Sequence, residues 1–167
     1  SFMGNVIGIG HDLWIASSAL YKDGNFKIAI PEERLNRLKG FQGFPTKAIK
    51  HILSESNLST KDIDLFCIGW NPSQYFNCLH PRFSNTPRWR AEMLYAIPNH
   101  ILSMSEGIDI GTTHMEIQGL KGKFAFYDHH MCHSFCSHYL SDFKESINIS
   151  LDGRGERKTC SINTIIN

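Results

Sequence analysis

The chain opens and closes with the same local pattern: an apolar strand, a turn that carries glycine and aspartate, and a returning strand. At the N-terminal end, Asn5 to Gly10 leads through His11 and Asp12 into Ile15 to Tyr21, and a second tight turn leads into Phe26 to Ile30. Apolar runs separated by such turns predict a three-stranded antiparallel meander. Backbone N–H groups of a glycine-rich turn suit an anionic ligand. A plain hairpin explains the same residues.

The C-terminal end repeats the pattern. Ser146 to Leu151 is an apolar strand that ends on Asp152, a glycine-rich turn reaches Glu156, and Thr159 to Ile166 returns. Two such units, the first followed by alternating helices and strands, predict an α/β protein of the ribonuclease H-like class. This is the duplicated fold of actin, sugar kinases and the Hsp70 ATPase.

The segment between the two units supplies helices and further strands. Pro45 starts a helix, and Asp64 to Trp70 and Lys123 to Tyr127 are two more strands. The predicted buried stripe of that helix comprises Ala48, Ile49, Ile52 and Leu53. Pro72 to Pro87 predicts a long loop, Trp89 to Met104 a weakly amphipathic helix broken at Pro98, and Glu106 to Lys121 loop.

We therefore expect residues 4–143 to form a first lobe and residues 144–167 to form the opening hairpin of a second, truncated lobe. Residues 1–3 read as an expression remnant followed by the start methionine. A charged run from Glu32 to Lys39 predicts a solvated helix face held by ion pairs. The alternative is that Arg37 or Lys39 neutralises a phosphate.

Two histidines, His129 and His133, lie four positions apart in a predicted helix from Asp128 to Tyr139. That spacing puts both imidazoles on one helix face, with Cβ atoms roughly 5–6 Å apart. Two imidazoles so placed can hold one metal ion, and Asp152 is a candidate third ligand. A His/His/carboxylate set suits iron or zinc. A polar helix face and an ordinary Asp-Gly turn explain the same residues without a metal.

The amino-acid composition argues against nucleic acid and a lipid bilayer as partners. The net charge is +1, with 20% charged and 41% hydrophobic residues. A chain this close to neutral has no excess of positive charge that would attract nucleic acid. No apolar run approaches the roughly 20 residues that span a bilayer. Five cysteines without a CxxC pair predict free thiols in a cytoplasmic protein.

Three blocks of the sequence resemble one family. They are GIGHDLWIASSALYKDGNFKIAIPEERLNRLKGFQGFP, DHHMCHSFCSHYLSDF and LDGRGE. They resemble the GxxHDxSAALxxDG…AxEEERxxRxKxxxxFP, DHHxAHAxSAYxxSxF and xDGxGE motifs of O-carbamoyltransferases of the nodulation and antibiotic-tailoring type (NodU/CmcH). The blocks occur in the family's order.

The resemblance implies an N-terminal domain akin to the tRNA threonylcarbamoyl-transfer proteins. In that family, carbamoyl phosphate and ATP give carbamoyl adenylate, and the carbamoyl group passes to a hydroxyl of a sugar or antibiotic. The implied metal ligands, for iron or zinc, are His129, His133 and Asp152. The implied catalytic positions are His130, His11 and Lys39. The implied nucleotide-binding positions are His11, Asp12, Gly153, Gly155 and Glu156. His130 is a candidate general base, with a hydrogen-bonding role as the alternative.

The chain also departs from the family motifs. Leu13-Trp14-Ile15 stands in place of a small Ser-Ala run, Arg154 in place of an apolar residue, and Cys132 in place of alanine. Because of these changes, the motifs do not predict which acceptor molecule this chain uses. Two other functions also stay open: a sugar-kinase-like phosphotransferase, and a non-catalytic nucleotide-binding or interaction module. Self-association as a homodimer is a further expectation, because an incomplete cleft exposes apolar surface.

Overall fold

The computed structural model describes residues 4–11, 15–71, 112–153 and 159–166. Their strands are β1 Asn5–Gly10, β2 Ser17–Lys22, β3 Asn25–Pro31, β4 Leu65–Ile68, β5 Thr112–Ile117, β6 Leu120–Phe126, β7 Glu145–Leu151 and β8 Cys160–Ile166. Their helices are α1 Glu33–Asn36, α2 Thr46–Glu55 and α3 His129–Tyr139, with a short 3-10 turn at Thr60–Asp62.

Six of these strands form one mixed sheet in the order β3-β2-β1-β4-β6-β5. The first three strands pair antiparallel, whereas β4 runs parallel to both β1 and β6. An antiparallel meander followed by parallel strands beside β1 is the strand order of the ribonuclease H-like fold. The predicted fold class is confirmed, with β5 added as an antiparallel edge strand.

The core of this sheet lies against α2. The buried residues of α2 are Ala48, Ile49, Ile52 and Leu53, as predicted from their spacing. Beneath the sheet's middle strands, the rings of Phe66 and Phe124 stack with centroids 4.9 Å apart. A Cβ on Gly122 would lie 2.9 Å from the Phe66 ring, so glycine is what permits this close packing.

Glu32 is buried, whereas the charged run to which it belongs predicts a solvated helix face. It is only 3% exposed, and its carboxylate accepts hydrogen bonds from the N–H groups of Lys47 (3.2 Å) and Ala48 (2.7 Å). Those N–H groups lie in the first turn of α2, where no intrahelical acceptor exists. Pro45, at the N-cap of α2, provides no side-chain hydrogen bond. A carboxylate from another part of the chain therefore caps α2.

The prediction of loop for Glu106 to Lys121 is wrong where the structure describes it. Residues 112–117 form β5 and pair with β6 across a two-residue turn at Gln118 and Gly119, whose φ angles are 51° and 80°. Both angles lie in the left-handed region that tight hairpins require. The strand was missed because β5 lies at the sheet edge and only one of its side chains with described burial, Ile117, is buried. Predictions for residues 72–111 fall outside the described residues.

The strands β7 and β8 form a separate antiparallel hairpin, as predicted. The hairpin packs on α3, and the side chains between them are largely polar. Its opposite face carries exposed apolar side chains: Ile147, Ile149, Leu151, Ile162 and Ile166. A division into lobes at residues 143 and 144 stays a prediction.

Candidate metal centre

The helix α3 starts directly after β6, and its first turn is fixed by Asp128. The Asp128 carboxylate accepts a hydrogen bond from the backbone N–H of Met131 at 2.9 Å. An N-cap of this kind determines where the helix begins and therefore which residues share each face. His129 and His133 consequently point together toward the end of β7.

The two histidines and Asp152 converge. The Nε2 atom of His129 lies 2.9 Å from Oδ2 of Asp152 and 3.1 Å from Nε2 of His133. The Nε2 atom of His133 lies 3.2 Å from the same carboxylate oxygen. Among the described residues, these three make up the group whose ligand atoms could share a metal ion.

The separations have a direct geometric meaning. Ligands about 2.1 Å from an ion lie about 3.0 Å apart at adjacent corners of an octahedron and about 3.4 Å apart in a tetrahedron. The three separations of 2.9, 3.1 and 3.2 Å are close to these values, so the three atoms can bind one ion together. Two imidazoles and one carboxylate are a ligand set found in both zinc and non-haem iron(II) sites. The residues present thus fit a divalent metal ion.

A backbone carbonyl orients His129. Its Nδ1 atom lies 3.1 Å from the carbonyl oxygen of Gly69, the residue that follows β4 by one position. An acceptor at Nδ1 suits the tautomer in which Nε2 binds a metal ion, whereas without an ion Nε2 lies within hydrogen-bond distance of the Asp152 carboxylate. The ring of Trp70, with its centroid 5.6 Å away, packs beside the imidazole. His129 is therefore held in the orientation that a metal ligand needs.

The carboxyl group of Asp152 is ionised at neutral pH. Burial raises the pKa of Asp152, but hydrogen bonds from His129, His133 and the backbone of Gly153 outweigh it and hold the pKa below its ordinary value. Gly153 itself is exposed. Since the carboxylate carries its charge, the centre presents two imidazoles and one anion to a cation.

The structure also describes His130, His11 and Lys39, and none of them belongs to the group of three candidate ligands. His130 is 1% exposed on a different face of α3, and its ring nitrogens have no hydrogen-bond partner in the described parts of the chain. His11 follows β1 and its ring stacks near Phe44, and Lys39 is exposed in the segment after α1. Asp12, Gly155 and Glu156 are outside the described residues. The roles of all six stay predictions.

Cysteines do not join the metal ligands in the described residues. Cys67, Cys136 and Cys160 are free thiols. Burial raises the pKa of Cys67 to about 11, an effect only partly offset by its hydrogen bond with Tyr127. A thiol with that pKa is protonated at neutral pH and is a poor ligand and nucleophile.

The sequence interpretation missed Gly69 and Trp70 as parts of the site. Both follow β4, a parallel strand, and residues beyond the carboxyl ends of parallel strands are where sites in open α/β sheets form. Their position after a predicted parallel strand was the sequence signal that could have indicated a role in the site.

A family model described as Carbamoyltransferase N-terminus matches residues 5–165. The chain belongs to this carbamoyltransferase family. The nodulation protein NolNO of Sinorhizobium fredii is 25% identical over 84% of this chain and 19% of its own length. An uncharacterized Synechocystis protein is 28% identical over 96% of this chain and 27% of its own length.

An uncharacterized protein of Methanocaldococcus jannaschii is 29% identical over 90% of this chain and 22% of its own length. This carbamoyltransferase N-terminal chain thus spans only about a fifth to a quarter of the curated relatives it matches. Among solved structures, YeaZ from Pseudomonas aeruginosa aligns with a TM-score of 0.34 and 12% identity, covering 72% of this chain and 64% of that one. Across the described residues, no helix combines the length and apolarity that a membrane crossing needs.

Proposed function

We propose that this chain carries the metal-binding part of an O-carbamoyl-transfer site. The reaction moves a carbamoyl group from carbamoyl adenylate, made from carbamoyl phosphate and ATP, to a hydroxyl of a small-molecule acceptor. The convergence of His129, His133 and Asp152 within 3.2 Å supports this proposal most strongly. Membership of the carbamoyltransferase family supports the choice of reaction.

The chemistry sets what the residues must do. The acceptor oxygen forms a bond to the carbamoyl carbon, the bond from that carbon to the AMP oxygen breaks, and the hydroxyl proton passes to a base. A divalent ion, when bound, supplies a Lewis acid that stabilises negative charge on the carbonyl and leaving-group oxygens. His129, His133 and Asp152 would hold it.

The protein side chains supply the remaining roles in this proposal. His11 and His130 are the candidates for the base that takes the hydroxyl proton. Lys39, whose side chain is exposed, is a candidate to neutralise phosphate charge. The positions Asp12, Gly153, Gly155 and Glu156 are assigned to the nucleotide by their match to the family motifs.

The proposal is tested by metal analysis of the full-length protein. We expect about one bound iron or zinc ion per chain, and loss of that ion in His129→Ala/His133→Ala protein. His114→Ala, which removes an exposed histidine from β5, is the matched control and should retain the ion. Unchanged stoichiometry in the double variant would contradict the proposal.

A further inference from the structure

The hairpin of β7 and β8 is held on α3 mainly by polar side chains. Among the described residues of its two strands, Ile165 is the one buried apolar side chain. Within the same described set, Ile165 is not part of the apolar cluster beneath the six-stranded sheet. Burial of so little apolar surface stabilises docking only weakly. The position of the hairpin therefore depends on its hydrogen bonds to α3.

Two asparagines that pair across the hairpin make these hydrogen bonds. Asn148 of β7 lies opposite Asn163 of β8. The side-chain amide of Asn163 donates to the hydroxyl of Ser134 at 2.8 Å, and the amide oxygen of Asn148 accepts from the hydroxyl of Ser137 at 2.8 Å. Both serines belong to α3 and, three residues apart, lie on one side of it. Each strand of the hairpin is thus tied to the helix by one asparagine.

Each asparagine is also fixed on its own strand. The amide nitrogen of Asn148 donates to the hydroxyl of Ser146 at 2.6 Å, and Nδ1 of the buried His138 lies 2.6 Å from the same hydroxyl. The amide nitrogen of Asn163 donates to the hydroxyl of Ser161 at 3.1 Å. Side chains held at both ends keep one rotamer, so the contacts between the hairpin and α3 define one relative position.

The same two elements carry the candidate metal ligands. His133 directly precedes Ser134 on α3, and Asp152 lies four residues after Asn148, just beyond the end of β7. Alternate residues of a strand share one face, so Asn148 and Asp152 are directed to the same side of the hairpin. An ion bound by both elements requires the hairpin to be docked on α3.

We propose that Asn148 and Asn163 are positioning residues for the metal centre, holding the hairpin on α3 so that Asp152 meets His129 and His133. The ion binds the docked form, so its apparent affinity falls as the docked fraction falls. By the same linkage, the bound ion stabilises docking. This inference rests on the proposed function, because it takes the ion at these ligands to be that of the carbamoyl-transfer site.

The first test measures the Zn²⁺ affinity of full-length protein by competition with a chelator. We expect Asn163→Ala to weaken Zn²⁺ binding about threefold to tenfold, the effect of one hydrogen bond. Asn148→Ala should have a smaller effect, because Ser137 is exposed whereas Ser134 is 1% exposed. Adding Ser134→Ala to Asn163→Ala should cause no further loss, since both changes remove the same bond.

Two controls distinguish positioning from a general loss of stability. Thr164→Ala changes the exposed neighbour of Asn163 and should leave the Zn²⁺ affinity unchanged. Glu32→Ala removes hydrogen bonds at the start of α2 and should destabilise the fold without weakening Zn²⁺ binding. Hydrogen–deuterium exchange gives a second measurement: Zn²⁺ should slow amide exchange in β7 and β8 of the wild type.

The outcomes separate this inference from the proposed function. Equal Zn²⁺ affinity of wild type and Asn163→Ala, an equal loss in Glu32→Ala, or exchange in the hairpin that Zn²⁺ does not change would overturn the positioning role and leave the metal centre intact. A wild-type protein that binds no Zn²⁺ would contradict the proposed function and this inference together. If Asn163→Ala does not fold, Ser134→Ala removes the same hydrogen bond from the helix and gives the same measurement.

Discussion

The Nδ1 atom of His129 lies 3.1 Å from the carbonyl oxygen of Gly69, so a backbone group after β4 orients a side chain on α3. His129 is the more enclosed of the two histidines, with its side chain 14% exposed against 50% for His133. The centre therefore has one fixed imidazole and one imidazole with room to turn.

This asymmetry predicts different costs for the two single substitutions in metal-free protein. His129→Ala loses the Gly69 hydrogen bond and the packing on Trp70, and should lower the free energy of unfolding by about 1–3 kcal/mol. His133→Ala removes a half-exposed side chain and should change it by less than about 0.5 kcal/mol. Urea unfolding checks both variants, and equal losses would argue against the anchoring role of Gly69.

Asp152→Asn should reduce metal affinity by more than about tenfold, since the substitution keeps an oxygen ligand but removes the negative charge that offsets the cation. Competition with a chelator of known affinity gives the measurement. Asp142→Asn removes an equal charge from an exposed position near the same helix and should leave the affinity unchanged. A similar loss in both variants would indicate only a long-range charge effect.

Glu32→Ala should destabilise the fold by about 1–3 kcal/mol, because the N–H groups of Lys47 and Ala48 lose their acceptor. Glu55→Ala, at the opposite end of α2 and exposed, serves as the control and should have little effect. Thermal or urea unfolding measures both. A small effect at Glu32 would mean that water replaces the carboxylate without cost.

The free energy of unfolding should depend on pH in the acid range because of Asp62. Hydrogen bonds from the side chain and backbone of Ser59 hold the pKa of Asp62 below its ordinary value. Its contribution to stability is complete above about pH 4, the unfolded value, and is lost as pH falls through the lower folded value. Asp62→Asn should flatten the stability profile below about pH 4. Ser59→Ala should remove part of the same slope, and a double variant should add nothing further.

Cysteine reactivity should follow burial. Since burial raises the pKa of Cys67 to about 11, iodoacetamide at neutral pH should modify the exposed Cys136 and Cys160 well before Cys67. Peptide mapping by mass spectrometry resolves the order. Unfolding in urea should abolish the difference, and early modification of Cys67 in the folded protein would contradict its placement.

The parts of the site that follow from local periodicity could be predicted from the sequence. His129 and His133 share a face because four residues nearly complete a helical turn, and Asp152 ends a strand that its alternating pattern reveals. The position of Gly69 after β4 was a general signal, but the specific contacts of Gly69 and Glu32 could not be predicted, because each joins elements that are distant in the chain. Every residue has a carbonyl, and nothing in the residue type marks the one at Gly69.

The two faces of the β7–β8 hairpin carry different kinds of side chain, and this difference fixes the register of the strand. Serine and asparagine side chains face α3, and Ile147, Ile149 and Ile162 face outward. Sliding β7 by a single residue would exchange the two sets, placing methyl groups against the hydroxyls and imidazoles of α3. The slip would also carry the carboxylate of Asp152 away from both histidines. The contrast between the two faces thus favours the single register of β7 in which Asp152 and both histidines can bind one cation together.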